Sequence, residues 1–265
     1  LLSTLGLVLT CSHYLPVKAV IKITVVATLA LLSLTLFSRA ELQHRWSMTD
    51  GTDSVGNADL TLAGYNPAVF SNGKYDSGTG LVGGEDERYL DAQGASLAKV
   101  AGTINGTGKL SFELWFNQNA EVEWAKLLML GNSQTDYIAV TAQAGGGVLA
   151  AQYEASDTVE QINGAALAAN VDYYVSLVID DASDTMTMYY GAVNQTLASV
   201  SIPLPADHVL AALPVTAFSL GGNDSAEFWN NGSFDGTIDE VRIWDTALTA
   251  SEVGANFAAG PNVIP

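Results

Sequence analysis

The sequence predicts an all-β protein, a sandwich or a barrel. Two observations carry this. Short apolar runs recur along the chain, separated by clusters of Gly, Asn, Asp and Ser, the pattern of strands bounded by turns. The clearest run, Leu110–Asn117, alternates strictly. Leu110, Phe112, Leu114 and Phe116 share one face, and Ser111, Glu113, Trp115 and Asn117 share the other. A period of two is that of a strand with one face buried. Only Ala250–Ala258 reads as a helix.

Taken in order, the first strand is Leu42–Met48, where His44 lies beside Trp46 in a structural role. Leu60–Leu62 and Arg88–Asp91 are short strands. After Leu110–Asn117 come Ala125–Leu130, Tyr137–Ala142 and Val148–Tyr153, apolar runs bounded by turn residues. Trp124, just before one of them, reads as an edge-packing residue. Tyr173–Asp180 and Thr185–Tyr190 are strong strands joined by Asp181-Ala-Ser-Asp184, whose short polar side chains suit a tight hairpin. Ala198–Ile202 and Ala217–Leu220 follow. In Gly236–Trp244, alternation groups Asp239 with Val241 and Ile243, and Ile238 with Glu240, Arg242 and Trp244. With Val241 and Ile243 on the core face, Asp239 is expected to point inward, where a charge must be paired, hydrogen-bonded or metal-bound. Thr249-Ala-Ser-Glu252 has the spacing of a capping box and starts the helix.

Residues 1–40 read as a leader. The first Met is Met48. Lys18 and Lys22 form a basic region, Ile23–Phe37 is an uncharged apolar run, and Ser38 and Ala40 supply small residues before a cleavage point. A signal peptide over about 17–40, cleaved before Glu41, fits these features. Residues 1–16 are expected not to be translated. The apolar run is shorter than the roughly 20 residues of a spanning helix. Residues 41–258 then form one domain and 259–265 a tail, and the protein is expected to be secreted or periplasmic, without membrane insertion once the leader is removed.

The whole chain carries a formal charge of −18. The leader holds three of the ten basic residues (Lys18, Lys22, Arg39) and no acid, so the exported part is more acidic still. Such a surface disfavours nucleic acid and anionic membranes. The one cysteine, Cys11, lies in the leader, so the domain must rely on its core without disulfides.

Several stretches resemble one family when taken in chain order. Phe234-Asp-Gly-Thr-Ile-Asp-Glu-Val-Arg-Ile-Trp244, followed by Ala247-Leu-Thr-Ala-Ser-Glu252, is similar to the C-terminal signature of the LamG-like jelly-roll family, part of the concanavalin A-like lectin/glucanase superfamily. His44-Arg-Trp-Ser47 with Asp53-Ser-Val-Gly-Asn57 resembles its opening strand and first turn. Leu110-Ser-Phe-Glu-Leu-Trp115 resembles its central strand. Asn170–Asp180 with Thr185–Gly191 resembles its "W-H-H-V-A-V-T-Y-D … L-Y-V-N-G" hairpin, with Asp172-Tyr-Tyr174 in place of Trp-His-His. The resemblance covers about residues 41–258 and implies a two-sheet antiparallel jelly-roll sandwich. It implies function only loosely, because one fold hosts many functions.

Laminarinase-type hydrolases of that fold carry Glu-x-Asp-x-Glu on one strand, which puts three carboxylates on one face for retaining hydrolysis. This chain lacks the motif. The reading is therefore a carbohydrate-binding or adhesion-type lectin-like domain without catalysis, with a glycan or cell-surface ligand. A polysaccharide lyase or hydrolase and an envelope structural protein are the alternatives, and the oligomeric state is open. The loop Gly221–Gly232 supplies the candidate rim: Trp229 with Asn223, Asp224 and Asn230, an aromatic face for sugar C–H groups beside amides and an acid for hydroxyls. Phe228 is expected to pack beneath it, and Trp229 either binds or packs. The loop Gly83–Arg88 reads as a solvated acidic turn. Asp53, in an oxygen-rich turn, and inward Asp239 are candidates to share a structural Ca²⁺, with Gly56 and Asn57 offering carbonyls. Alternatively, Asp53 forms an Asx-turn and Asp239 accepts backbone N–H groups.

Overall fold

The computed structural model describes residues 40–64, 68–78, 87–223, 228–229 and 231–264. The leader over 17–39 and the acidic stretch 83–86 lie outside these. In chain order the elements are β1 (Leu42–Trp46), β2 (Thr61–Ala63), β3 (Val69–Ser71), β4 (Lys74–Asp76), β5 (Tyr89–Asp91) and α1 (Gly94–Ile104). Next come β6 (Lys109–Gln118), β7 (Lys126–Ser133), β8 (Asp136–Ala144), β9 (Val148–Ala155), β10 (Thr158–Asn163) and β11 (Asp172–Asp180). The chain ends with β12 (Thr185–Ala192), β13 (Ala198–Pro203), β14 (Ala217–Leu220), β15 (Gly236–Trp244) and α2 (Ala250–Ala259).

Two antiparallel sheets form a jelly-roll sandwich. The eight-stranded sheet runs β13-β12-β11-β6-β15-β4-β3, with β1 also paired to β15; the seven-stranded sheet runs β10-β9-β8-β7-β14-β5-β2. The alternation in β6 holds. Leu110, Phe112, Leu114 and Phe116 join one core cluster with Leu128, Leu130, Ile138, Val140, Phe218 and Leu220 of the opposing sheet. Burying each such side chain contributes about 1.5–3 kcal/mol, and a core of this extent can hold a domain of this size without disulfides.

The structure also holds elements outside the sequence reading. Helix α1 was not expected, because Gly94, Gly102 and Thr103 lower helix propensity and its N-cap Gln93 makes no side-chain cap. Yet Leu97, Val100 and Ile104 are spaced three and four apart and pack on the core, which is the period of a helix face. The hairpin β3–β4 was also missed. Its turn is Asn72-Gly73, both at positive φ (53° and 75°), the type I′ geometry that Asn-Gly favours. Strand β10 returns from β9 through Ser156 and Asp157, again both at positive φ.

The outer face of the eight-stranded sheet is closed by α2. Thr249 and Glu252 form the expected capping box. Beneath the helix, Trp115, Tyr174, Val178, Trp244, Leu248 and Val253 pack together. Among them Glu113 is fully buried. It accepts from the Tyr174 hydroxyl (2.5 Å), Trp244 Nε1 (2.7 Å) and Asn256 Nδ2 (2.9 and 3.0 Å), and the Arg242 guanidinium lies 3.9 Å away. Burial pushes its carboxyl up, opposed by these donors. Glu240, also fully buried, takes Arg45 in a two-point contact (3.0 Å each), Arg242 Nε and the backbone N–H of Asn262.

The orientation expected for Asp239 is corrected. Along β15, Ile238 pairs with Phe116 but Glu240 pairs with Trp115, so two residues advance against one. This β-bulge inserts Asp239 as an extra residue and reverses the alternation behind it. Ile238, Val241 and Ile243 all reach the core. The bulge lies where the other edge of β15 changes partner, from β4 at Thr237–Ile238 to β1 at Val241–Trp244. Asp239 faces β4 instead of the core and pairs with Lys74 at 2.7 and 3.0 Å. Both side chains are partly exposed, 17% for Asp239 and 34% for Lys74. Ion pairs in such settings are worth about 0.2–1 kcal/mol, so Asp239→Ala is expected to lower stability by less than about 1 kcal/mol. A denaturant-unfolding loss above about 2 kcal/mol would show that the carboxylate has a buried role this geometry lacks.

Candidate ligand-binding cleft

The site is built on the outer face of the seven-stranded sheet. On β8, Ile138, Val140 and Ala142 turn into the core, leaving Tyr137, Ala139 and Thr141 on the other face. Gln152 of β9 pairs with Ala139 and stands on the same face. A second bulge decides the rest. On β7, Leu128 pairs with Val140 but Lys126 pairs with Thr141, so Leu127 is the extra residue. Unbroken alternation would group Lys126 with Leu128 and Leu130 in the core. The bulge lets Leu127 and Leu128 both join the core and turns Lys126 to the outer face.

Trp124 precedes β7 at φ 63° and is tied down by its N–H to Gln143 O at 2.7 Å. Its indole passes over Gly145, where a Cβ would lie 3.1 Å from Cζ2. Trp229 arrives from the loop before β15. Phe228 is buried beside it against Met129, Tyr137 and Ala139, as expected. Asn223 donates Nδ2 to Trp229 O (3.0 Å), and Asn231 N–H bonds the same carbonyl (2.8 Å). The Trp229 ring meets Tyr137 edge-on, 4.8 Å between centroids.

These residues enclose a cleft of about 250 Å³ lined by Trp124, Lys126, Tyr137, Gln152, Trp229 and Asn231. The Lys126 ammonium lies between the two indoles, 5.3 Å from the Trp124 ring centroid and 5.4 Å from that of Trp229. Lys126 is only 2% exposed. Burial alone pulls its amine down to about 8. Burial, with Glu154 nearby, pushes the Tyr137 hydroxyl well above its ordinary value, so it stays protonated. The cleft thus offers two aromatic faces, two amides, a hydroxyl and one ammonium.

A family model of the laminin G type, described as the concanavalin A-like lectin/glucanases superfamily, matches residues 91–254. The chain belongs to that superfamily. The match runs from β5 to the first turn of α2 and includes Trp124, Lys126 and Trp229. Among solved structures, domain 4 of AbnA, an extracellular arabinanase from Geobacillus stearothermophilus in complex with arabinotriose, has a TM-score of 0.55 at 16% identity, over 83% of this chain and 100% of that one. Botulinum neurotoxin type C, whose cell entry depends on interaction with two ganglioside molecules, gives 0.52 at 12% identity, over 82% of this chain and 50% of that one. The CBM40 of Ruminococcus gnavus IT-sialidase bound to α2,3 sialyllactose gives 0.48 at 17% identity, over 58% and 84%. At these identities the likeness is one of fold. No curated protein matches the chain.

On this lectin/glucanase-type sandwich, the residues expected to form the rim are only partly brought together. Trp229 lines the cleft. Asn223 is buried, 3% exposed, and holds the Trp229 backbone. Asp224 and Asn230 lie outside the described residues. Trp124, expected to be an edge-packing residue, is half-buried and forms the opposite wall. Tyr137, Lys126, Gln152 and Asn231 were not anticipated. The Trp-x-Lys spacing before β7 was visible, but only the bulge puts the lysine between the indoles.

The two carboxylates considered for Ca²⁺ keep separate partners. Asp53 is 2% exposed. Its Oδ1 accepts from the N–H groups of Arg45, Val55 and Gly56, and its Oδ2 from Ala58 N–H and His44 Nδ1 (2.7 Å), all within 3.0 Å. The contacts from Val55 and Gly56 are the Asx-turn of the alternative reading. Burial by itself would raise this carboxyl, but His44 and the backbone donors outweigh it and hold it well below the usual carboxylate range. A shell of N–H donors is the opposite of the oxygen cage Ca²⁺ requires, so the residues present do not fit the ion. Among the described residues, no group of three or more His, Cys, Asp or Glu converges for a metal.

Proposed function

We propose that this protein is a lectin-like glycan-binding domain whose ligand lies on the outer face of the seven-stranded sheet, held between Trp124 and Trp229. The observation that carries this is the pair of half-buried indoles lining one cleft, each with the Lys126 ammonium over its ring. Sugars present C–H faces that stack on aromatic rings, and hydroxyls that suit amides such as Gln152 and Asn231. Clefts lined mainly by aromatic groups with a few fixed polar ones are the usual form of a small-ligand site. The arabinotriose-bound arabinanase domain and the ganglioside-dependent toxin share the fold and support a saccharide as the ligand class. The signal-peptide-like leader supports export, where extracellular glycans are met.

Calorimetry against a panel of oligosaccharides tests the reading. Trp124→Ala and Trp229→Ala are each expected to weaken binding by about 1–3 kcal/mol, roughly 5–150-fold. Binding is expected to survive excess chelator. A lowered melting temperature with unchanged affinity in both variants would mark the indoles as packing alone. Release of shorter saccharides from the panel would move the protein to the enzyme class.

A further inference from the structure

We infer that the glycan held in this cleft carries an anionic group, a carboxylate or a sulfate ester, and that Lys126 receives it. This rests on the glycan-binding reading and narrows it to acidic saccharides. The starting point is an ammonium in an unusual position. Lys126 is 2% exposed, and its contacts are the two indole rings. Among the described residues no carboxylate reaches it, and burial is the single influence on its amine. Among the described residues, the other fully buried Lys or Arg side chain, Arg242, has carboxylates beside it. Arg242 lies between Glu113 and Glu240, and Arg45 meets Glu240 from outside.

A desolvated ammonium without a counter-ion is unfavourable in the free protein. The β7 bulge nevertheless turns it out of the core and into a cleft that a ligand enters. Cation–π contact with two rings offsets part of the cost and holds the ammonium in place. The ring faces leave its N–H groups to be satisfied from the cleft side. A neutral sugar supplies hydroxyl acceptors only. An anionic group supplies charge as well, and charge-assisted hydrogen bonds are the stronger kind, more so in a partly dry cleft.

The chain's net charge of −18 opposes a polyanion at long range. At physiological ionic strength the Debye length is about 8 Å, so that repulsion is screened far more than a contact inside the cleft. The inference therefore concerns a short acidic epitope. Of the other described residues lining the cleft, Tyr137 is the one titratable group, and it stays protonated beside Glu154, its partner across β8 and β9; Trp124, Gln152, Trp229 and Asn231 are neutral.

The test uses the full chain and three probes of equal length: an oligogalacturonate, its neutral methyl ester, and a sulfated galacto-oligosaccharide. Calorimetry at pH 7 is expected to show one of the acidic probes binding at least tenfold tighter than the ester, and which of the two does so identifies the anionic group. In Lys126→Met, that preference is expected to collapse toward one. As an independent readout in the unmodified protein, affinity for the acidic probe is expected to fall about tenfold between pH 7 and pH 9, as an amine titrating near 8 loses its proton. If the ester binds as tightly as both acidic probes and Trp124→Ala weakens it, the glycan site stands and the anionic inference is overturned. If none of the three probes binds, both are overturned.

Discussion

Glu113→Ala is expected to destabilise the protein by about 3–5 kcal/mol, the range for removing one partner from a buried ionic network. The carboxylate is the common acceptor for groups from three elements: Tyr174 on β11, Trp244 on β15 and Asn256 on α2. Deleting it leaves the Tyr174 hydroxyl, the Trp244 indole N–H and the Asn256 amide unpaired beneath the helix. Such groups cost about 1–3 kcal/mol each when left unsatisfied. It also leaves Arg45 and Arg242 sharing one carboxylate, Glu240. Glu113→Gln keeps the volume and one acceptor oxygen, so its loss is expected to be clearly smaller. Urea unfolding of the two variants checks this. A change below 1 kcal/mol for Glu113→Ala would mean that α2 is not docked on this carboxylate.

Asp53→Ala is expected to cost about 2–4 kcal/mol, because four backbone N–H groups and His44 lose one acceptor. This residue also sets an acid dependence. Its folded carboxyl titrates below its value in the unfolded chain, near 3.8. For a depressed carboxyl, the stabilisation is fully present above the unfolded value and is lost as pH falls from there through the folded value. Melting temperature is therefore expected to decline below about pH 4 in the unmodified protein, and less steeply in Asp53→Asn, which has no charge to lose. Equal acid slopes would show that the donor shell does not hold this carboxylate. Chelator separates the metal account directly. A protein stabilised by N–H donors melts at the same temperature with or without it, whereas a Ca²⁺-linked one melts lower by mass action.

The two bulges show where alternation stops being a guide to which face a side chain takes. Alternation assigns faces correctly wherever a strand pairs without interruption, as at Leu110–Phe116. A single inserted residue reverses every assignment beyond it. Asp239 is misassigned for this reason: the carboxylate expected to point inward lies at a strand junction. Unbroken alternation would likewise group Lys126 with Leu128 and Leu130, whereas the bulge at Leu127 turns it to the cleft. Neither Leu127 nor Asp239 is a glycine or a turn former that marks such an insertion. The Asn72-Gly73 turn and the Leu97, Val100, Ile104 spacing are different, since both signals were present in the residues.

By itself, then, the sequence determined the things that depend on neighbours along the chain. These are the period-two strands, the Asp181–Asp184 hairpin, the capping box at Thr249 and Glu252, and through them the sandwich and its family, whereas at Asp53 the residues left the Asx-turn and a shared Ca²⁺ both open. Packing of Phe228 beneath the last loop was legible too, from an aromatic placed beside a more accessible one. The cleft was not. Its walls come from Trp124 and Trp229, over a hundred residues apart in the chain, and meet only because β7 lies between β8 and β14. Tertiary pairing also chose the bulge positions, since the register of β7 is set by β8 and that of β15 by β6, β4 and β1 together. Local residues specify how a strand alternates, but only its partners in the sheet decide which residue is the extra one, and here that choice places the Lys126 ammonium over two indoles.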